Sequence, residues 1–189
     1  MDRDECVDFI VDRVIPNINM LPCENHDFQS DEFRVFKMNT DKIDAGFLNY
    51  CDLIKKIDMS SYNTLQTVEG KFANNCGSLE TISFNDCKNL SIIGPEFAAN
   101  CPELKTIDLF GCSRLSMIGH SFALNCQNLE IVDLRSCGNA YLDEDDVMKA
   151  FKNVYTKSLK NVYIDDKTSS GITRFLSRQF RDNDIVRTF

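Results

Sequence analysis

Several chemical fixtures are scarce or missing in this chain, and each absence closes a class of function. Histidine is nearly absent: His26 and His120 are the two in 189 residues. His120 stands at a variable position that holds Pro95 in the preceding repeat unit, and no spacing sets either histidine beside a nucleophile and an orienting group. HExxH, GxSxG and phosphate-cradling glycine loops do not occur. Nine cysteines are present, an odd number without a CxxC pair, so the spacing spells out neither a zinc ribbon nor a closed disulfide framework. No apolar run approaches the ~20 residues a membrane helix needs. The opening MDRDECVDF lacks the basic and apolar regions of a secretory signal. Basic residues are outnumbered, 21 against 29, and the net charge of −8 argues against phosphate-driven binding to nucleic acid. The expectation is a cytoplasmic protein that is not an enzyme, without cofactor, metal, nucleic acid, membrane insertion or small-molecule substrate.

What the chain does have is a period. Cys51, Cys76, Cys101 and Cys126 are twenty-five residues apart, and Phe47, Phe72, Phe97 and Phe122 keep the same step. A fixed period of this length means stacked supersecondary units, each unable to bury its apolar side alone. The clearest unit runs from Asn100 and Cys101 through Leu104, Ile107, Leu109, Cys112, Leu115, Ile118, Gly119 and Phe122 to Ala123. The unit before it repeats the pattern from Cys76 to Ala98, the unit after begins at Cys126, and a looser one begins at Cys51. Leu159, Val162 and Ile164 repeat the spacing of Leu129, Val132 and Leu134 after a short insertion, which predicts a fifth unit. Apolar residues at alternate positions predict short strands with one buried face near 57–59, 82–84, 107–109, 132–134 and 162–164. Gly94 and Gly119 suit a tight turn, and the stretch from Phe97 to Cys101 has room for one or two helical turns.

The LxxIxLxxC core of these units resembles the cysteine-containing leucine-rich repeats of F-box proteins, and the LxxIGxxFAxNC half resembles repeats common in bacterial and protist surface proteins. The likeness spans roughly residues 47–137. No F-box is seen. The resemblance implies an α/β leucine-rich-repeat solenoid: right-handed and curved, a parallel sheet on its concave face, short helical turns on the convex side, both ends capped. Cys87, Cys112 and Cys137 then hold the site where other such repeats place an Asn that ties the turn together. They are read as structural thiols, with metal or redox use as the alternative. Asn75, Asn100 and Asn125 form a further column, read as turn residues.

The outward positions also form columns. Lys55, Glu80, Lys105, Glu130 and Lys160 alternate in sign at each step. Across parallel strands ~4.8 Å apart this is a ladder of opposite charges. The central column is Asp58, Ser83, Asp108, Asp133 and Tyr163, and the next is Ser60, Asn85, Phe110, Arg135 and Asp165. Thr81, Thr106 and Ile131 lie beside them. Aromatic and Arg side chains are the usual anchors of interfaces, so Asp108, Phe110, Ile131, Asp133, Arg135 and Tyr163 are the candidate partner-binding residues. Single exposed apolar residues are also ordinary on any surface.

The ends differ from the array. Val7, Ile10, Val11 and Val14 trace one face of a helix stopped by Pro16, and Phe33 to Lys37 suggest a strand added to the first edge. Asp143 to Asp146 lack the alternation and glycine of a calcium loop and precede Val147, Met148 and Phe151, which predicts an acidic helix N-terminus. Residues 167–189 carry a local charge of +3. Ile172, Phe175, Leu176 and Phe180 form a helical stripe there, and Arg174, Arg178 and Arg181 a basic row that is either a solvated face or a docking site. The division expected is an N-terminal cap over 1–46, repeats over 47–166 and a C-terminal capping helix over 167–189. The function expected is a protein–protein interaction module, an adaptor or scaffold. The alternatives are a surface-exposed structural or adhesion-type repeat protein, or an assembly factor for an enzyme complex.

Overall fold

The structure, a computed structural model, describes residues 32–34, 40–137, 144–152, 154, 158–164, 175, 176, 178 and 186–188. The expected helix over 4–15 and most of the Arg174–Arg181 row fall outside these residues. The described chain is a parallel β-solenoid built on two sheets. Its strands are β1 (Glu32–Arg34), β2 (Lys42–Ile43), β3 (Lys56–Asp58), β4 (Thr67–Val68), β5 (Thr81–Ser83), β6 (Ile92–Ile93), β7 (Thr106–Asp108), β8 (Met117–Ile118), β9 (Ile131–Asp133), β10 (Asn161–Ile164) and β11 (Val186–Thr188), with one helix, α1 (Glu144–Phe151), between β9 and β10. The first sheet has the order β1-β3-β5-β7-β9-β10-β11 and the second β2-β4-β6-β8. Every strand pairing is parallel, and from β3 to β9 the neighbours in the first sheet are twenty-five residues apart, as in Ile57–Ile82–Ile107–Val132.

The five expected strands are present and begin one residue earlier than the alternation suggests. On the far side each second-sheet strand is followed by a run of turns, at Phe97–Cys101 and its repeats, where helical turns were expected. The backbone there cannot wind into a helix, because left-handed residues recur at every second position: Lys71, Ala73 and Asn75 have φ of 62°, 49° and 59°, and Glu96, Ala98 and Asn100 repeat the pattern. Alternating hands point successive amides across to the neighbouring coils instead of along the chain. Ala98 N donates to Phe72 O (2.8 Å) and Asn100 N to Leu124 O (2.7 Å). Gly94 and Gly119 serve close approach rather than a left-handed turn: a Cβ on Gly119 would lie 2.4 Å from Pro95 N.

Helical connections do occur where the period breaks. α1 takes the place of a second-sheet strand between β9 and β10, and Phe175 and Leu176 are helical between β10 and β11. The acidic run starts α1 as expected, and Val147, Ala150 and Phe151 form its buried face. The stretch read as a C-terminal capping helix ends in β11, which extends the first sheet. At the other end β1 pairs with β3, so strand pairing reaches back before residue 47.

The core is a set of ladders. Phe47, Phe72, Phe97, Phe122 and Phe151 stack with centroids 6.1, 5.3, 5.5 and 5.4 Å apart. Ile57, Ile82, Ile107, Val132 and Val162 line the inner face of the first sheet, and Ile43, Val68, Ile93 and Ile118 that of the second; all are fully buried. Among the described residues no helix is long and apolar enough to cross a membrane.

Candidate functional site

Both cysteine columns turn out to be joints between coils. Cys76, Cys101 and Cys126 donate to the carbonyls of Leu48, Ala73 and Ala98 at 3.0, 3.1 and 3.0 Å. Cys87, Cys112 and Cys137 donate to those of Met59, Phe84 and Leu109 at 3.0, 3.2 and 3.0 Å. Each bond reaches back twenty-eight residues, one coil and one turn. The carbonyls of Met59, Phe84 and Leu109 also accept the amides of Tyr62, Cys87 and Cys112, at 3.3, 3.1 and 3.2 Å, so there the thiol adds a second bond to the same oxygen. All six are buried free thiols. Burial and the neighbouring Cys112 push Cys87 up to about 12. The adjoining Cys137 and burial push Cys112 further in the same direction. Thiols held protonated and inaccessible, as Cys87 and Cys112 are, make poor nucleophiles and poor metal ligands. Among the described residues no three His, Cys, Asp or Glu side chains are grouped to hold a metal ion.

The outward face of the first sheet holds the six candidate residues together. Asp108 and Asp133 are register neighbours on β7 and β9, and Tyr163 on β10 is the next neighbour of Asp133. Ile131 starts β9 on the same face. Arg135 lies across the group: its guanidinium carbon is 5.4 Å from the Phe110 ring centroid and 5.1 Å from that of Tyr163. Its Nε donates to both Asp133 oxygens (3.0 and 3.1 Å), and Nη2 also bonds Oδ2. The result is a guanidinium held between two aromatic rings and fastened edge-on to a carboxylate, on a side chain one third exposed.

The carboxylate column also has a local task. Asp58, Asp108 and Asp133 each accept the amide two residues on, from Ser60, Phe110 and Arg135, at 3.0, 2.9 and 3.0 Å. These bonds turn the chain out of each strand, as Asx turns do. The alternating charge column resolves into two ion pairs, Lys105–Glu80 at 2.7 Å and Lys160–Glu130 at 2.8 Å. The Lys105 ammonium holds the Glu80 carboxyl below the ordinary carboxylate range. His120 is exposed, and its Nδ1 lies 3.2 Å from the Ser121 hydroxyl next to it.

Two residues escape the pattern of buried columns. Tyr50 and Leu53 are 65 % and 58 % exposed, the largest exposures among the apolar side chains described. Comparing polar columns would have found them, since other coils carry Asn75, Asn100 and Asn125 in the place of Tyr50, and Ser78, Glu103 and Asn128 in the place of Leu53. No family model, no curated protein and no solved structure matches the chain.

Proposed function

We propose that the chain is a non-enzymatic interaction module whose coils are leucine-rich repeats, and that a protein partner docks on the outward face of the first sheet. The observation that carries the reading is the Phe110–Arg135–Tyr163 stack beside Ile131. It offers large rings and a charged fork already held in place, so little side-chain entropy is lost on contact. The repeat identity is supported by the LxxIxLxxC units and by the helical connections after β9 and β10. A cytoplasmic location is part of the proposal, supported by six free thiols.

The test is affinity purification from the native cell, comparing wild type with Phe110→Ala. The expected outcome is a saturable partner whose binding weakens by about 1–2 kcal/mol in the variant, the scale of an interface anchor. The array should melt at nearly the same temperature. If Phe110→Ala binds normally while a folded protein lacking residues 167–189 does not, the site is the basic C-terminal row, as in an assembly factor.

One observation favours a second reading, a structural protein of an oxidising surface environment. Cys51, unlike the other cysteines of its column, is disulfide-bonded. Thiol counting on protein isolated without reductant separates the two: nine free thiols place it in the cytoplasm, and seven place it in an oxidising compartment.

A further inference from the structure

The charged groups around the Phe110–Arg135–Tyr163 stack are already engaged with one another. The Arg135 fork holds Asp133 through Nε and Nη2, and Asp133 is 7 % exposed, so the pair sits largely out of water. Lys105 is paired with Glu80 and Lys160 with Glu130. Asp108 takes the Phe110 amide on one oxygen and the Asn85 side-chain amide on the other, at 2.9 and 3.4 Å. A partner carboxylate would have to compete with Asp133 for the fork. A partner cation would find these carboxylates bonded to amides or to Lys and Arg. Between the pairs lies an apolar patch. Phe110, Ile131 and Tyr163 are half-buried, and the Arg135 guanidinium fills the space between the two rings. Earlier coils carry Ser60 and Asn85 in the column of Phe110, and Lys56 and Thr81 in that of Ile131, so the patch is confined to one half of the array.

Building on the docking site proposed above, we infer that its partner is a protein segment bearing aromatic or aliphatic side chains and little charge, and that Arg135 acts as a filler between the rings instead of as an ion-pair donor. Charge complementarity decides the occupant. Exposed ion pairs added over groups that are already paired gain little, so a face neutralised from within favours a neutral segment. The Lys105–Glu80 and Lys160–Glu130 pairs lie along the starts of the strands and give the patch a polar rim, the anatomy of an interface with an apolar centre. Asp133 is then a positioning residue. It holds the guanidinium level with both rings and keeps it from recruiting acidic segments.

Selection of a random peptide library, displayed on phage, against the immobilised full chain tests this. The peptides retained should be rich in aromatic and aliphatic residues and poor in charged ones. Their affinity should change less than about threefold over a tenfold rise in salt, since no exposed ion pair is made. Phe110→Ala should weaken them at least about fivefold. Asp133→Asn keeps an acceptor for the Arg135 amide, so the turn at the strand end is retained. It strips the guanidinium of its counter-charge, and selection on that variant should turn to acidic peptides whose binding falls with salt. Charged peptides that depend on Phe110 in the unaltered chain and are lost in salt overturn this inference and leave the docking site standing. A selection on Asp133→Asn that returns the same uncharged peptides overturns the role given to Asp133. Peptides indifferent to Phe110, or none at all, overturn the docking site as well.

Discussion

At the scale of single residues, the thiols illustrate how a small change of atom decides stability. Cys112 Sγ donates to Phe84 O at 3.2 Å, because a C–S bond is long and a thiol is a weak, soft donor. Replacing it by Ser shortens that reach and buries a more strongly polar group in an apolar column. Cys112→Ser should lower unfolding stability by about 1–3 kcal/mol, read from urea titration; an unchanged midpoint would show that the bond contributes nothing. The same burial makes stability pH-dependent. With Cys87 raised to about 12 in the fold, its contribution is complete below the unfolded value near 8.5 and is lost as pH rises towards 12. Stability should fall through that window by up to about 1.4 kcal/mol per pH unit for each such thiol. Titrations from pH 8 to 11 should show a shallower fall in Cys87→Ala than in wild type.

At the scale of elements, conformation follows backbone handedness more than hydrophobic pattern. The segment Phe97–Cys101 has the apolar content of a helical turn, yet Glu96, Ala98 and Asn100 are all left-handed. Bonds to the coils on either side compensate for the strain. Where those bonds are not the reason for a residue's identity, the strain can be relieved. Lys71 is exposed with φ of 62°, in the place where the preceding coil has Gly46 with φ of 80°. Lys71→Asn should therefore stabilise the protein by about 0.5–1 kcal/mol, part of the penalty an ordinary side chain meets in this region. A calorimetric melting temperature at or below that of wild type would contradict this.

At the scale of the whole molecule, stability is nearly one-dimensional: each coil rests on its two neighbours. The centre of the phenylalanine stack is the place where a defect is felt on both sides. Phe97 lies 5.3 Å from Phe72 and 5.5 Å from Phe122, and it is fully buried. Phe97→Ala should cost about 3–5 kcal/mol, the range for deleting a buried aromatic, and should split the array into halves that unfold at different denaturant concentrations. Hydrogen exchange that shows coils on both sides still unfolding together would argue for coupling beyond nearest neighbours. The surface follows the same linear logic: Arg135 of one coil is held by Phe110 of the coil before and Tyr163 of the coil after.

The sequence by itself determined the period, the buried ladders and the five first-sheet strands. Each of these is stated by side chains recurring at a fixed step, and Ile57, Ile82 and Ile107 can face only one way once their neighbours stack. It also brought Phe110, Asp133, Arg135 and Tyr163 onto one face, because columns on stacked strands are neighbours by construction. Only the tertiary structure decided the second sheet. Lys42–Ile43, Thr67–Val68 and their repeats are two residues long, too short to alternate visibly, and they exist because adjacent coils supply their partners. The hand of Ala73 or Glu96 was likewise invisible, since nothing in those side chains favours a positive φ and only the bonds between coils hold it. The carboxylate column looked like exposed charge, and the structure turned it into strand-ending turns and a clamp on Arg135. That is the physical division: side chains announce which faces are buried, while backbone amides, identical at every residue, reveal their partners only when the coils are stacked.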